Sequence, residues 1–526
     1  MKKFFTLVFT SLLFLQLSGQ NVLTTPQPKD VLIEDFTGIY CPNCPDGHLF
    51  MDRLMKTHPG RIHCMSVHYG SYSLPHGEPG YMDFRTKEGE VLGTTYNAAF
   101  FPSGLVNRRN HEDLGGILLG RGQWGTASRY VCHETAPVNV WVKGVYEEAT
   151  STIHIDVELC YTAEVKAGST TLSIALTQSH IAGPQSGTTE GSSGQYQHNH
   201  VLRAYITPLW GDAISENPVG QIIKRHYDYV LPKDFNGIPT DARFTELTAF
   251  VSDAESREVL NVESTSVEAG DYELPLKATL VEYLITPLRN YGFNFFECYI
   301  DNDGSEPITS ATFDVEFNEV LKTINWEGNI EGQSRGYVRF PVDWSKQGSE
   351  NEYSIKLTGI NGKAYKGNTI SGEFNAMLKV KGDVTVNITT DNYADDNTFT
   401  LKNNDGDVLV EYGPYAEGVV DTYVETIHFD KEGIYCFEIL DSWGNGMLTP
   451  RGRVKWYDNN GKLIAQNNEI HGYGYRIFFQ YTPDTGIQVV GADDQDMKIY
   501  DILGREVNGE ITEKGIYIIN GKKYIK

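Results

Sequence analysis

Hydrophobic and polar positions follow different rules in successive parts of the chain. Phe4 to Leu17 is a mostly apolar stretch behind Lys2 and Lys3. Val31 to Phe36 is a short apolar run of strand length, and Ile62 to Tyr69 is another. Between them, Phe50/Leu54 and Met51/Met55 recur at i,i+4 spacing, which gives residues 46–57 one apolar helical face. His58-Pro59-Gly60 ends that helix. The order is therefore strand, helix, strand. From Ala136 onward the period changes to two. Val138, Val140 and Val142 alternate, as do Ile153, Ile155, Val157, Leu159 and Tyr161, with His154, Asp156, Glu158 and Cys160 on the opposite face. Leu172, Ile174 and Leu176 repeat the pattern. Alternation at period two predicts half-buried antiparallel strands. Residues 181–194 are rich in Gly, Ser and Thr and read as a loop.

These patterns predict an α/β domain at the N-terminus followed by several all-β sandwich-like domains. The boundaries expected are 1–19 for a signal peptide, 20–134 for the α/β head, 135–270 for a β-sandwich-like domain, 271–378 for an Ig-like β-sandwich, 379–482 for a further β-module and 483–526 for a terminal module. The strands expected in 271–378 are Phe293 to Ile300, Thr312 to Val320, Gly336 to Phe340 and Tyr353 to Leu357, with Asp301-Asn302-Asp303-Gly304 as a turn. Composition agrees: 52 Gly, 31 Tyr and 24 Phe in 526 residues suit strands joined by tight turns. A net charge of −25 argues against nucleic acid as a partner, because the chain repels phosphate backbones. Beyond the N-terminal run no apolar stretch reaches the ~18 residues of a transmembrane helix. The n-region, apolar core and Ser18-Gly19-Gln20 read as a secretory signal cleaved after Gly19. No Cys follows the run to carry a lipid anchor.

Candidate chemistry centres on Cys41-Pro42-Asn43-Cys44, between the first strand and the helix. A thiolate rather than a thiol attacks disulfides, and a helix N-terminus stabilises it. Cys41 is then the attacking sulfur and Cys44 the resolving one. The segment resembles thioredoxin-fold proteins: Asp35-Phe36 stands where they carry a buried acidic residue, and Phe101-Pro102 looks like their cis-proline loop. That resemblance implies a Cys41–Cys44 disulfide, Pro102 in cis beside it, and Asp35 accepting a proton from Cys44. Pro-Asn between the cysteines and Pro45 after them depart from the usual thioredoxin residues and leave redox poise open. A zinc reading of Cys41, Cys44 and one of His48, His58, His63 or His68 lacks a second Cys-x-x-Cys or a His-x₃-His. More narrowly, Glu34-Asp35-Phe36-Thr37-Gly38, Cys41 to Pro45, Phe101-Pro102-Ser103-Gly104 and His198-Asn199-His200-Val201-Leu202-Arg203 resemble the outer-membrane-protein-28-related family over residues 28–262. That family's surface location is better defined than its activity. The seven cysteines leave one over in any full pairing, and the partners of Cys64, Cys132, Cys160, Cys298 and Cys436 stay open. Cys64 reads as a buried core thiol.

Three further features carry chemistry. His198 and His200 share one face of an expected strand and read as a metal pair or, more simply, as packing. Asp441-Ser442-Trp443-Gly444-Asn445-Gly446 resembles an Asp-Ser-x-Gly-Asp-Gly turn of secreted β-modules. Asp441 and Asn445 offer oxygens that suit Ca²⁺, while Trp443 occupies a position where a calcium loop wants oxygen. At the C-terminus, Tyr500-Asp501-Ile502-Leu503-Gly504-Arg505, Gly515-Ile516-Tyr517-Ile518 and the basic ending resemble the sorting domain of type IX secretion substrates. That resemblance implies export through the type IX machinery to the outer-membrane surface or the medium. No His-Glu-x-x-His is present. Two functions remain: a surface protein, structural or binding a protein or glycan ligand, and a thiol-disulfide oxidoreductase. No cofactor other than calcium is indicated.

Overall fold

The computed structural model describes residues 20–483 and 499–525, apart from 75, 77–80, 189–191, 193, 195, 271–272, 283–294, 342–349, 376–377, 448–450, 469, 471–473, 502–504, 508–513 and 520–521. The expected signal segment 1–19 lies outside the described residues. Two compact units divide the chain, 1–272 and 273–526. No described helix is long and apolar enough to cross a membrane.

In the first unit the elements run β1 (Val31–Thr37), α1 (Cys44–Thr57), β2 (Ile62–His68), α2 (Lys87–Thr95), β3 (Ser103–Val106), β4 (Leu119–Gly120) and α3 (Arg121–Cys132). They continue as β5 (Val138–Glu147), β6 (Thr152–Tyr161), β7 (Thr170–Gln178), β8 (Ile181–Gly183), β9 (Tyr196–His198), β10 (Val201–Tyr205) and β11 (Asp212–Ile214). The last are β12 (Ile222–Val230), β13 (Asp234–Phe235), β14 (Ile238–Pro239), β15 (Thr245–Asp253) and β16 (Val259–Ser266). β1 and β2 pair in parallel, and β3 runs antiparallel to β1 with Asp35 opposite Gly104. Every residue of β1 and β2 is buried, as expected for parallel strands covered on both faces.

One sheet takes strands from both sides of residue 135, in the order β16-β15-β7-β10-β2-β1-β3-β4. A second sheet, β12-β6-β5, packs on part of it. Ile153, Ile155, Val157 and Leu159 of β6 meet Leu172, Ile174, Leu176 and Leu247 in that core. The expectation that Leu172 to Leu176 is half-buried is corrected here. β7 lies inside the large sheet, and its other face, with Ala175, joins a second core containing Phe36, Met65, Leu92 and Phe250. β8, inside the stretch read as loop, pairs with β9.

The second unit is all-β. Ala278–Glu282, Phe295–Asn302 and Ser334–Pro341 form one sheet; Val320–Ile330, Ile308–Phe317, Glu350–Ile360 and shorter strands form another. Phe296, Phe313, Val338, Ile355 and Leu357 fill the core they share. Thr312 to Val320 is not one strand. Asn318 and Glu319 have φ of 45° and 68°, and this two-residue turn reverses the chain into Val320–Ile330. Two further sheets enclose Val386, Phe399, Phe437, Trp456 and Phe479. Four short strands between 499 and 525 make the terminal sheet.

Candidate functional site: a covered cysteine pair

α1 begins at Cys44 with Asn43 as its N-cap, so Cys41 lies two residues before the cap rather than in the first turn. Its N–H donates to Gly38 O at 3.0 Å, and the Cys44 N–H donates to Cys41 O at 3.4 Å. The two sulfurs are bonded, with Cα atoms 5.4 Å apart. The Phe101–Pro102 peptide is cis. A Cβ placed on Gly47 would stand 3.0 Å from the Pro102 ring, so the proline packs on the first turn of α1.

Sequence reasoning missed what covers this turn. Cys41 is 1 % exposed and Cys44 is fully buried. The segment after β8 lies over them. Gln185 Nε2 donates to Cys41 O at 3.0 Å and to Gly38 O at 3.3 Å, and Ser186 N–H donates to Ile39 O at 2.7 Å. Gly187 has φ +90°, and a Cβ there would fall 2.2 Å from Pro42 O. Only glycine allows this approach. Residues 185–187 therefore form a strap hydrogen-bonded to the backbone around the dithiol.

Asp35 is fully buried, and neither carboxylate oxygen has a hydrogen bond. Burial pushes its pKa well above the usual carboxylate range. His48 Nε2 stands 3.5 Å from Asp35 Oδ2 but accepts or donates at Thr37 Oγ1, 2.9 Å away, while Nδ1 meets the Tyr196 hydroxyl at 2.8 Å. Burial, then repulsion from His198 and His200, lowers the His48 pKa to about 3, so its ring carries no charge at neutral pH.

His48, half-buried, belongs to a set of histidines that includes the buried His68 and His198. Neither nitrogen of His68 has a hydrogen-bond partner, and its ring lies 4.7 Å from Phe84 and 5.9 Å from His198. His198 Nε2 meets Pro184 O at 3.1 Å. His198 and His200 do not share a strand: His198 ends β9, and His200 sits in a turn with φ 53°, its Nδ1 3.9 Å from Glu246. Beneath the sheet, Arg108 makes a bidentate pair with Glu34, both bonds 2.7 Å, and reaches the Tyr205 hydroxyl at 3.1 Å. Both side chains of that pair are 1 % exposed. Cys64, Cys132, Cys160, Cys298 and Cys436 are buried free thiols.

In the second unit, Asp441 Oδ1 accepts the N–H groups of Trp443, Gly444 and Asn445 at 3.0, 2.5 and 3.2 Å. The Asn445 side-chain amide lies 3.1 and 3.0 Å from the Asp441 oxygens. Trp443 is buried and faces the core. Burial first, then the charges of Asp396 and Asp391, pushes the Asp441 pKa well up. Asp391 and Asp396, both buried, are residues the turn motif did not reveal.

No curated protein matches this chain. HBP35 of Porphyromonas gingivalis aligns at 16% identity and a TM-score of 0.36, over 67% of this chain and 99% of that one. A domain of the outer membrane lipoprotein Omp28 from Porphyromonas gingivalis aligns at 18% identity and a TM-score of 0.19, over 26% of this chain and 92% of that one. Residues 90–270 match the family described as outer membrane protein Omp28, and that match supports a location at the outer-membrane surface.

Proposed function

We propose that the chain is an exported outer-membrane-surface protein with a thioredoxin-like head, in which the Cys41–Cys44 disulfide is a structural cross-link and the β-rich remainder binds a protein or glycan ligand. One observation carries this: Cys41 is 1 % exposed beneath the 185–187 strap. Thiol–disulfide exchange requires a partner thiolate to reach a sulfur, and access limits its rate. A surface location also separates the dithiol from cytosolic reductant, which favours the oxidised form. The mature full-length chain should therefore show no insulin reduction above background. Turnover that disappears in Cys41→Ser would replace this reading with thiol-disulfide oxidoreduction. The packing of the Pro102 ring on the first turn of α1, with Asp35 buried on β1, favours that second reading, in which Asp35 takes a proton from Cys44.

Export by the type IX machinery rests on the resemblance of 483–526, and deleting those residues should retain the chain in the periplasm; surface display of the truncated chain contradicts it. Ca²⁺ at Asp441 and Asn445 is supported by the buried carboxylates of Asp391 and Asp396 beside them. Excess Ca²⁺ over chelator should raise the melting temperature of the chain, and Asp441→Asn should abolish the rise. Equal melting curves with and without Ca²⁺ rule the ion out.

A further inference from the structure

A second group of metal-capable side chains lies on the solvent face of β6 and β12. The two strands pair antiparallel with His154 opposite Asp228 and Asp156 opposite His226. Residues i and i+2 of a strand share a face, so the register draws a two-by-two checkerboard of imidazole and carboxylate. Intervening residues point the other way: Ile155 is fully buried and Tyr227 packs on the same core. The backbone beneath the four side chains is thereby fixed.

We propose that His154, His226 and Asp228 form a binding site for a borderline divalent metal ion, with Zn²⁺ the best match. Asp228 Oδ1 sits between two ring nitrogens, 2.6 Å from His154 Nδ1 and 3.2 Å from His226 Nε2. One donor atom from each of the three residues lies within 4.8 Å of the others. Tetrahedral zinc at about 2.0–2.1 Å from its ligands separates them by roughly 3.3 Å, within the span these donor atoms already occupy. Two imidazoles and one carboxylate are a set that Zn²⁺ accepts, leaving a fourth position to water.

The placement of His226 is what separates this group from a surface ion-pair ladder. Its Nδ1 is held by Asp156 at 2.7 Å while Nε2 faces Asp228. A carboxylate on the far nitrogen of a ligating histidine fixes the tautomer and raises the basicity of the near one. Asp156 is thus a positioning residue. Lys143, opposite Asp156 on β5, directs its ammonium to Glu268 at 3.0 Å. All three ligands are open to solvent, with side-chain exposures of 41%, 54% and 58%, so an ion has free entry. Binding releases to solvent the protons that bridge the rings to Asp228, and His226 keeps the Nδ1–H accepted by Asp156.

The test is calorimetric titration of the oxidised full-length chain with zinc chloride alone. Saturable binding is expected, and His226→Ala and Asp228→Asn should each remove one equivalent while leaving the circular dichroism unchanged. Asp156→Asn should keep that equivalent and weaken it by about 10–100-fold. No saturable binding at millimolar Zn²⁺, or the same stoichiometry and affinity in both His226→Ala and Asp228→Asn, overturns the site. Undiminished affinity in Asp156→Asn overturns the positioning role. These outcomes are independent of whether Cys41 and Cys44 exchange.

Discussion

Glu34→Gln should destabilise the first unit by about 3–5 kcal/mol, the cost of stranding a buried charge. Glu34 and Arg108 are both 1 % exposed and share two 2.7 Å bonds. Glutamine keeps the shape but leaves the guanidinium without a counter-charge between the rings of Trp210 and Phe250, 5.5 and 5.0 Å from it. The double variant Glu34→Leu/Arg108→Met should recover most of the loss, because replacing a whole buried pair by apolar groups is often neutral. Tyr205 loses its hydroxyl partner in that variant, so a residual cost of about 1–3 kcal/mol is expected. Urea denaturation of the three proteins measures both differences. A loss below about 1 kcal/mol in Glu34→Gln contradicts the assignment.

Acid should unfold the first unit well before carboxylates titrate. Burial holds His48 at about 3, and His63 and His198 at about 4. Burial, then repulsion from His198 and His48, lowers His68 as well. A base whose folded pKa lies below its unfolded value near 6.5 binds more protons when unfolded. Its contribution is complete above pH 6.5 and is lost as pH falls towards the folded pKa. At pH 5 the penalty is on the order of 2 kcal/mol for each of His48, His63 and His198. His200 works against this, since Glu246 overcomes its burial and raises its pKa. Stability measured between pH 7.5 and 4.5 should therefore fall steeply. His68→Leu, which removes a ring with no hydrogen-bonded nitrogen, should reduce the slope by about one proton. A flat profile over that range contradicts the account.

Local patterns were legible in the sequence, and long-range pairings were not. Val31 to Phe36, the i,i+4 apolar pairs of 46–57 and Ile62 to Tyr69 match β1, α1 and β2 because each pattern is written within one element. Glu34 appeared only as part of a motif, since its partner Arg108 is 74 residues away. Residues 185–187 fall in a stretch that reads as a Gly-, Ser- and Thr-rich loop; their hydrogen bonds to the backbone of the Cys41 turn leave no local signature. Asn318-Glu319 lacks the glycine that marks a tight hairpin, which hid the strand after it. His154 and Asp156 were placed on the polar face of β6, but their meaning depends on register with His226 and Asp228. Burial of Trp443 explains why the turn at Asp441 departs from a calcium loop at its third position.

The covered dithiol is the centre of the account, and the rate at which dithiothreitol reduces Cys41–Cys44 tests it most directly. Reduced thiols are trapped by alkylation and counted by mass spectrometry, on the native full-length chain and on the same chain in strong denaturant. With both cysteines buried and Gln185, Ser186 and Gly187 held against the backbone of residues 38–42, native reduction must wait for local opening. The native rate should be slower by at least about 100-fold, equivalent to an opening cost near 3 kcal/mol. Native reduction as fast as that of the unfolded chain would show that the strap does not protect the disulfide and would contradict the structural reading.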